Sequence, residues 1–526
     1  MKILYPVAVF LLLVHATQSW ALTPEQKLNL ATGDNDSRIT ALGKVSESGD
    51  VSAIAYLQSL DDDAIKFKGN QLFLVGDSVT DAITGKSVTL PDDAEDVVNN
   101  NQMRSELDAT IAALKLFSKD PKVRLESAKA LIGTDPSEGR LTLIKRVEKT
   151  ETDEAVKATL AQVSASIEIN SPNKDTRMAA VAKLKEGANP NNKEILASRL
   201  EGDGEKDPEV RLAIQAALNS IESQMAVYDK IGQAFTGLSL GSILLLAALG
   251  LAVTYGLMGV INMAHGEMMM IGAYATYLAQ TFFQRFLPGY FDWYLLLAVP
   301  FAFVVTAAIG IVIERLVLRH LYGRPLETLL ATWGVSLILM QLVRTVFGAQ
   351  NVEVENPVWM SGGVQLAANL ILPNNRICII AFAIAVLIMM WLLITKTRLG
   401  LFIRAVTQNR GMASCTGVNT SKVDAMAFGL GSGIAGLAGV ALSQIGNVGP
   451  ALGQSYIVDS FMVVVLGGVG QLAGAVYAAL GLGIVSKFLE GIAGAVLAKI
   501  FVLVIIIVFI QKRPQGLFAF KGRSLD

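Results

Sequence analysis

The sequence predicts a mainly all-α chain in two parts: stacked helical repeats with a small β insert, then a polytopic α-helical membrane domain. Three observations predict this. Residues 22–230 hold 26 Lys and Arg against 35 Asp and Glu, whereas 231–526 hold 17 against 10 along long uncharged runs. The first region repeats a helix-start pattern. The second contains eight apolar stretches, several long enough to cross a ~30 Å hydrocarbon core at about 1.5 Å per residue. With 526 residues and 52% hydrophobic content, the chain is too long for one domain and too apolar for a soluble one. The net charge of −1 by itself says nothing about partners, and no nucleic-acid partner is expected.

Residues 1–21, MKILYPVAVFLLLVHATQSWA, show a lysine, a short apolar core and a small-residue end, so they read as a signal peptide cleaved after Ala21. The region from Leu22 onward is therefore expected outside the cytoplasm. Within 22–228, DPKVRLESAKAL (120–131) and DPEVRLAIQAAL (207–218) share Asp-Pro, Val-Arg-Leu and a closing Ala-Leu. Asp is suited to the N-cap and Pro to the first turn, with apolar residues after them at helical spacing. Fainter echoes begin at Asp36, Asp153 and Lys174. Such units bury a face only against their neighbours, and they resemble HEAT-like repeats. Residues 65–91 break the pattern with β-branched alternation and turn dipeptides, which predicts an inserted strand pair. The insert contains Gly85-Lys86-Ser87, but a phosphate loop requires glycine where Thr80 stands and a helix in place of the strand-like VTL. A turn is expected there.

The expected membrane segments are 235–257, 261–283, 293–313, 328–347, 377–395, 425–446, 460–486 and 491–511. Lys and Arg cluster at Arg315, Arg319 and Arg324, at Lys396, Arg398, Arg404 and Arg410, and at Lys512, Arg513, Lys521 and Arg523. Positive charge marks the cytoplasmic side. Eight crossings from an exported start put the first two clusters inside but the tail outside, so one segment must bend. The candidate is 460–486, with Gly467, Gly468, Gly470 and Gly474 in its middle. A continuous helix packed through small residues, with a split elsewhere, would also restore parity. Asp459, at the mouth of an apolar segment, reads as a helix-end charge, and Lys499 as a snorkelling one.

The stretch 259–278, GVINMAHGEMMMIGAYATYL, carries Asn262, His265 and Glu267 among apolar residues and is broken by Gly259, Gly266 and Gly272. Asn262 and His265 share a helical face. Polar groups at membrane depth face a bundle interior or a water-filled path, and a hydrogen-bonding role between helices is equally open. The second stretch is the 395–420 loop, TKTRLGLFIRAVTQNRGMASCTGVNT, whose 400–412 portion alternates apolar residues with Arg404, Gln408, Asn409 and Arg410. It reads as a short amphipathic cytoplasmic helix ending at Gly411 or Gly417, either lying on membrane lipid or set into a partner's groove. Nucleotide motifs, nucleophile sets, paired carboxylates and metal-ligand spacings are absent, so neither enzyme activity nor a cofactor is expected. Cys378 and Cys415 do not suggest a disulfide.

Five blocks in order, NMAHGEMMMIGAY (262–274), ER…RPL (314–326), TRLGLFIRAVTQNRGMASCTGVN (397–419), DSFMVVVLGGVGQLAGAVYAA (459–479) and KRPQGLF (512–518), resemble permease subunits of the branched-chain-amino-acid class of ABC importers. The exported repeat domain and the loop NVEVENPVWMSGG (351–363) are most similar to the urea permease of that class. The resemblance implies a multi-pass inner-membrane permease domain over 229–520 with its N-terminal domain periplasmic. It also implies a second permease subunit, two cytoplasmic ATPase subunits and an extracytoplasmic solute-binding protein. The implied coupling residues are Arg404, Gln408, Asn409, Arg410, Ala413 and Gly417. The implied path residues are Asn262, His265, Glu267, Gly467, Gly468 and Gly470. Urea is the implied solute, with branched-chain or other amino acids as the alternative and a passive channel or scaffold as a second. Urea needs acceptors and gains nothing from net charge, whereas a zwitterion needs a partner for each charge.

Overall fold

The computed structural model describes residues 22–518 apart from 77, 135–137, 187, 203, 260, 368 and 469. The expected leader at 1–21 lies outside the described residues. Contacts divide the chain into two compact units, Met1–Ala226 and Val227–Asp526.

The first unit starts with α1 (Pro24–Thr32), α2 (Asn35–Ser48) and α3 (Ile54–Asp61), then a sheet of β1 (Ile65–Lys68), β2 (Gln71–Val75), β3 (Val79–Asp81) and β4 (Glu95–Asp96). Next come helices α4 (Asn101–Lys115), α5 (Pro121–Ala130), α6 (Glu138–Thr150), α7 (Glu154–Glu168), α8 (Lys174–Glu186) and α9 (Pro190–Ser198). The insert is larger than the expected strand pair: an antiparallel sheet of order β3-β2-β1-β4. The short β4 lacked the alternation that reveals a strand. Gly85-Lys86-Ser87 is a turn, with Gly85 at φ 71° and the Asp81 amide donating to the Lys86 carbonyl at 2.8 Å.

The helix starts obey the expected chemistry. Asp120 accepts from the Lys122 amide at 2.9 Å, Asp153 from that of Ala155 at 2.9 Å, and Asp207 from that of Glu209 at 2.9 Å. A longer-range device recurs that the motif did not reveal. Arg124 donates to the Ser118 carbonyl and to both carboxylate oxygens of Glu151, each of the latter at 2.8 Å. Arg177 does the same with the Ser171 carbonyl and with Glu205. Each glutamate also accepts from the amide of the next N-cap aspartate, Asp153 or Asp207, at 3.0 Å. One arginine thus pins the turn before its own helix to the turn two helices later. Separate apolar clusters, around Leu57 and Leu107, around Leu143 and Leu160, and around Leu184 and Ile214, fill the layers between helices.

Helix α10 (Pro208–Met258) continues into the second unit. After it come α11 (His265–Phe286), α12 (Tyr294–Leu316), α13 (Pro325–Phe347), a hairpin of β5 (Gly363–Ala367) and β6 (Leu370–Pro373), and α14 (Asn374–Lys396). The remaining elements are the short α15 (Arg398–Gln408) and α16 (Arg410–Cys415), α17 (Thr420–Ser443), α18 (Leu452–Gly467), α19 (Leu472–Ala493) and α20 (Ala495–Lys512). Among the described residues, seven helices are long and apolar enough to cross a membrane: α10, α12, α13, α14, α17, α19 and α20. The chain belongs among polytopic membrane proteins, and one of the eight expected segments, 261–283, falls short of that measure. Polar side chains, among them His265, Glu267 and Gln280, keep α11 below that hydropathy, and the 460–486 stretch is two helices.

The break expected in 460–486 falls between α18 and α19. Helix α18 is an apolar helix of 16 residues, about 24 Å by its rise. It ends at Gly467, and Gly468 at φ 98° and Gly470 at φ 76° reverse the chain into α19. Leu517, in the tail, donates to the Leu466 carbonyl at 2.8 Å, so this turn and the basic tail share one end of the unit. At the opposite end, Val352 and Val448 bridge through paired backbone bonds of 2.8 and 2.9 Å. Helices α12, α14 and α20, like α18, run from the bridged end to the basic one, and the Arg315, Lys396 and Lys512 clusters gather there.

Candidate functional site

Helix α10 gives way to Gly259 at φ 62°, and α11 begins at His265. The connecting backbone is satisfied from the side. Asn262 Oδ1 accepts from the Ala264 amide at 3.0 Å, and Thr332 Oγ1 on α13 accepts from the Met263 amide at 3.2 Å. A His265 ring nitrogen, Nε2, lies 2.9 Å from the Ala247 carbonyl and donates to it, tying α11 to α10. Glu267 Oε1 accepts from the Ser336 hydroxyl at 2.9 Å. Gly266 packs against Gly453 so closely that a Cβ would stand 2.6 Å from the Gly453 carbonyl oxygen. The junction therefore joins α10, α11, α13 and α18.

All three polar side chains are buried at 1% exposure or less. In this conformation each is engaged by a neighbouring helix or by its own turn. Two buried atoms of these side chains have no hydrogen-bond partner among the described residues, His265 Nδ1 and Glu267 Oε2. Gly467 lies against Gly474, a Cβ on it standing 2.5 Å from the Gly474 carbonyl carbon. Gly467, Gly468 and Gly470 form the reversing turn, and Gly470 packs against the end of α10, its Cα 2.9 Å from where a Cβ on Gly256 would stand.

The basic loop is a folded surface. Thr397 caps α15 by accepting from the Gly400 amide at 3.2 Å, and Asn409 breaks it and caps α16 through the Met412 amide at 3.0 Å. Ile403, Val406 and Ala413 are buried against the bundle, while Leu401, Phe402, Met412, Arg404, Gln408 and Asn409 are exposed. The outward face thus carries apolar residues around Arg404, whose Nε donates to the Gly400 carbonyl at 3.3 Å. Gly417, at φ 89°, turns the chain toward α17.

Two expected coupling residues have other engagements. Ala413 is covered by its own bundle and offers no outward surface. Arg410 Nη2 donates to the buried Asp424 carboxylate at 2.6 Å, and its guanidinium lies 5.0 Å from the Tyr322 ring centre. The Tyr322 hydroxyl donates to buried Glu314 at 2.7 Å, and burial together with Glu314 pushes its pKa well up. A buried carboxylate needs such a partner. This cluster fastens the loop to the α12–α13 connection, and sequence separation concealed it.

At the bridged end, a crevice of about 600 Å³ lies among α10, α14, α18, α19 and α20. Arg376, Tyr456, Asp459 and Lys499 line it beside Leu244 and Met462. Sequence position alone makes Asp459 a helix-end charge and Lys499 a snorkelling one. In the fold both reach the crevice, their charged atoms 3.8 Å apart.

Residues 233–510 match the family described as branched-chain amino acid transport system permease component. The chain belongs to this family. It is 33% identical over 260 residues to the high-affinity branched-chain amino acid permease LivH of Escherichia coli K12, covering 48% of this chain and 83% of that protein. It is 29% identical over 297 residues to BraD of Pseudomonas aeruginosa, described in the same terms, covering 55% of this chain and 96% of that protein. A more distant likeness, 24% over 203 residues, joins it to the ribose import permease RbsC of E. coli, covering 36% of this chain and 52% of that one. No solved structure matches at a significant level. Members of the family are permease subunits of transport systems and not enzymes, and the family implies ATPase and solute-binding partners.

Proposed function

We propose that the Val227–Asp526 unit, paired with a second permease subunit, forms the solute path of an ATP-driven importer in the inner membrane for branched-chain or closely related amino acids. The observation that carries this reading is the family match across 233–510, with relatives that transport branched-chain amino acids at 29–33% identity. Two cytoplasmic ATPases drive it, one of them docking on the α15–α16 surface through Arg404, Gln408, Asn409 and the surrounding apolar residues. A solute-binding protein delivers at the opposite, bridged end. The unmatched atoms of His265 and Glu267 support a part for their junction in the path when the helices separate, with Gly467, Gly468 and Gly470 as the flexible return. Asn262 serves that junction as its cap.

One observation favours a second reading. Residues 22–226 lie outside the region matched by the family model, and by sequence this domain, which we read as exported, resembles the urea permease of the class together with loop 351–363. Urea is then the solute. The purified four-subunit complex separates the readings: binding protein loaded with leucine should stimulate ATP hydrolysis, and binding protein mixed with urea should not. Stimulation by urea alone would reverse the choice.

A further inference from the structure

We infer that the crevice among α10, α14, α18, α19 and α20 recognises a zwitterion with an apolar side chain, Arg376 receiving the carboxylate and Asp459 the ammonium. This rests on the amino-acid reading above and adds to it the residues that meet the solute.

The charges in the crevice are of two kinds. Lys487 and Glu490 close on each other at 2.6 Å and satisfy one another. Arg376, half-buried in the first turn of α14, makes no ion pair among the described residues. Asp459, with 22% of its side chain exposed, meets the exposed Lys499 at 3.8 Å, beyond direct hydrogen-bond length. A guanidinium taken halfway out of water without an anion is costly. A bound carboxylate would offset that cost through two parallel N–H···O bonds. Lys499 can swing outward and leave Asp459 to an ammonium.

Position favours one ligand bridging the two. Tyr456 and Asp459 lie three apart on α18 and so share a face, neighbours across one turn. Arg376, from the first turn of α14, lines the same crevice as Tyr456 and Asp459. Leu240, Ile243 and Leu244 of α10, with Met462, Leu482 and Val502, supply apolar lining. A volume of about 600 Å³ falls within the range of small-molecule sites. Urea, neutral and without an apolar part, would use neither feature.

The test is binding of labelled leucine to the full permease–ATPase complex in detergent, without binding protein. Leucinamide, lacking the carboxylate, and 4-methylpentanoate, lacking the ammonium, serve as competitors. Arg376→Gln should weaken leucine about tenfold or more, the scale of a lost charge-assisted contact, and leave leucinamide unchanged. Asp459→Asn should weaken leucine similarly and leave 4-methylpentanoate unchanged. If Arg376→Gln fails to assemble, Arg376→Lys carries the same test, since it keeps the charge and loses the two-pronged contact. Leucine bound equally by parent and variants overturns the site alone. An unaltered complex that neither binds nor transports leucine overturns the site together with the amino-acid reading.

Discussion

Arg124 and Arg177 make matching contacts, and their value lies in what they do to the facing glutamates. The Arg124 guanidinium lowers the Glu151 pKa to about 2, with help from the Asp153 and Thr152 amides. A carboxylate depressed in the fold contributes stability above its ordinary value of 4.5, and that contribution is lost as pH falls through about 2. Between those limits the α5–α7 layer should open, read as faster amide exchange at 118–168. Glu151→Gln should exchange faster at neutral pH and lose much of that acid dependence. An unchanged pH profile would show that the pair is only a surface contact. Asn262 is a residue whose task in the fold could not be read from spacing. Its carbonyl caps the Ala264 amide inside the bundle. Asn262→Leu leaves that buried amide unsatisfied and should cost about 1–3 kcal/mol, seen as a lowered melting temperature of the purified complex. Melting at the parent temperature would remove the capping role.

At the scale of elements, α15 carries the sharpest functional expectation. Its inward face is held by Ile403 and Val406, and its outward face sets Arg404 between Leu401, Phe402 and Gln408. Reversing a charge at a docked surface is far more costly than on a solvated one. Arg404→Glu should therefore abolish solute-stimulated ATP hydrolysis while the complex stays folded and the unstimulated rate of the ATPases is unaffected. Retained stimulation would make α15 a plain surface helix. The amphipathic pattern of α15 was legible because alternating charge and apolar residues mark a half-buried helix directly. The break between α18 and α19 was legible from clustered glycines. The start of α18 at Leu452 was not, because Gln454, Ser455 and Asp459 interrupt its apolar run and face the crevice or solvent. The Arg410–Asp424 pair and the Arg124–Glu151 clasp were equally hidden, since tertiary packing alone brings such partners together.

At the scale of the whole molecule, sidedness comes first. The charge clusters at Arg315, Lys396 and Lys512 gather at one end of the second unit, which the positive-inside rule assigns to the cytoplasm. With Cys378 and Cys415 replaced, a cysteine at Ser171 should react with an impermeant reagent from outside intact spheroplasts. One at Gln408 should react only after permeabilisation, and the reverse pattern would invert the topology. The central claim is that this chain forms the path of an ATP-driven importer for amino acids. The measurement that tests it most directly is uptake of labelled leucine into vesicles holding the complete complex, with ATP inside and binding protein outside. The account predicts accumulation above the external concentration, lost when ATP is withheld and unaffected by an excess of urea. Accumulation of labelled urea without leucine, or leucine equilibrating regardless of ATP, would contradict it.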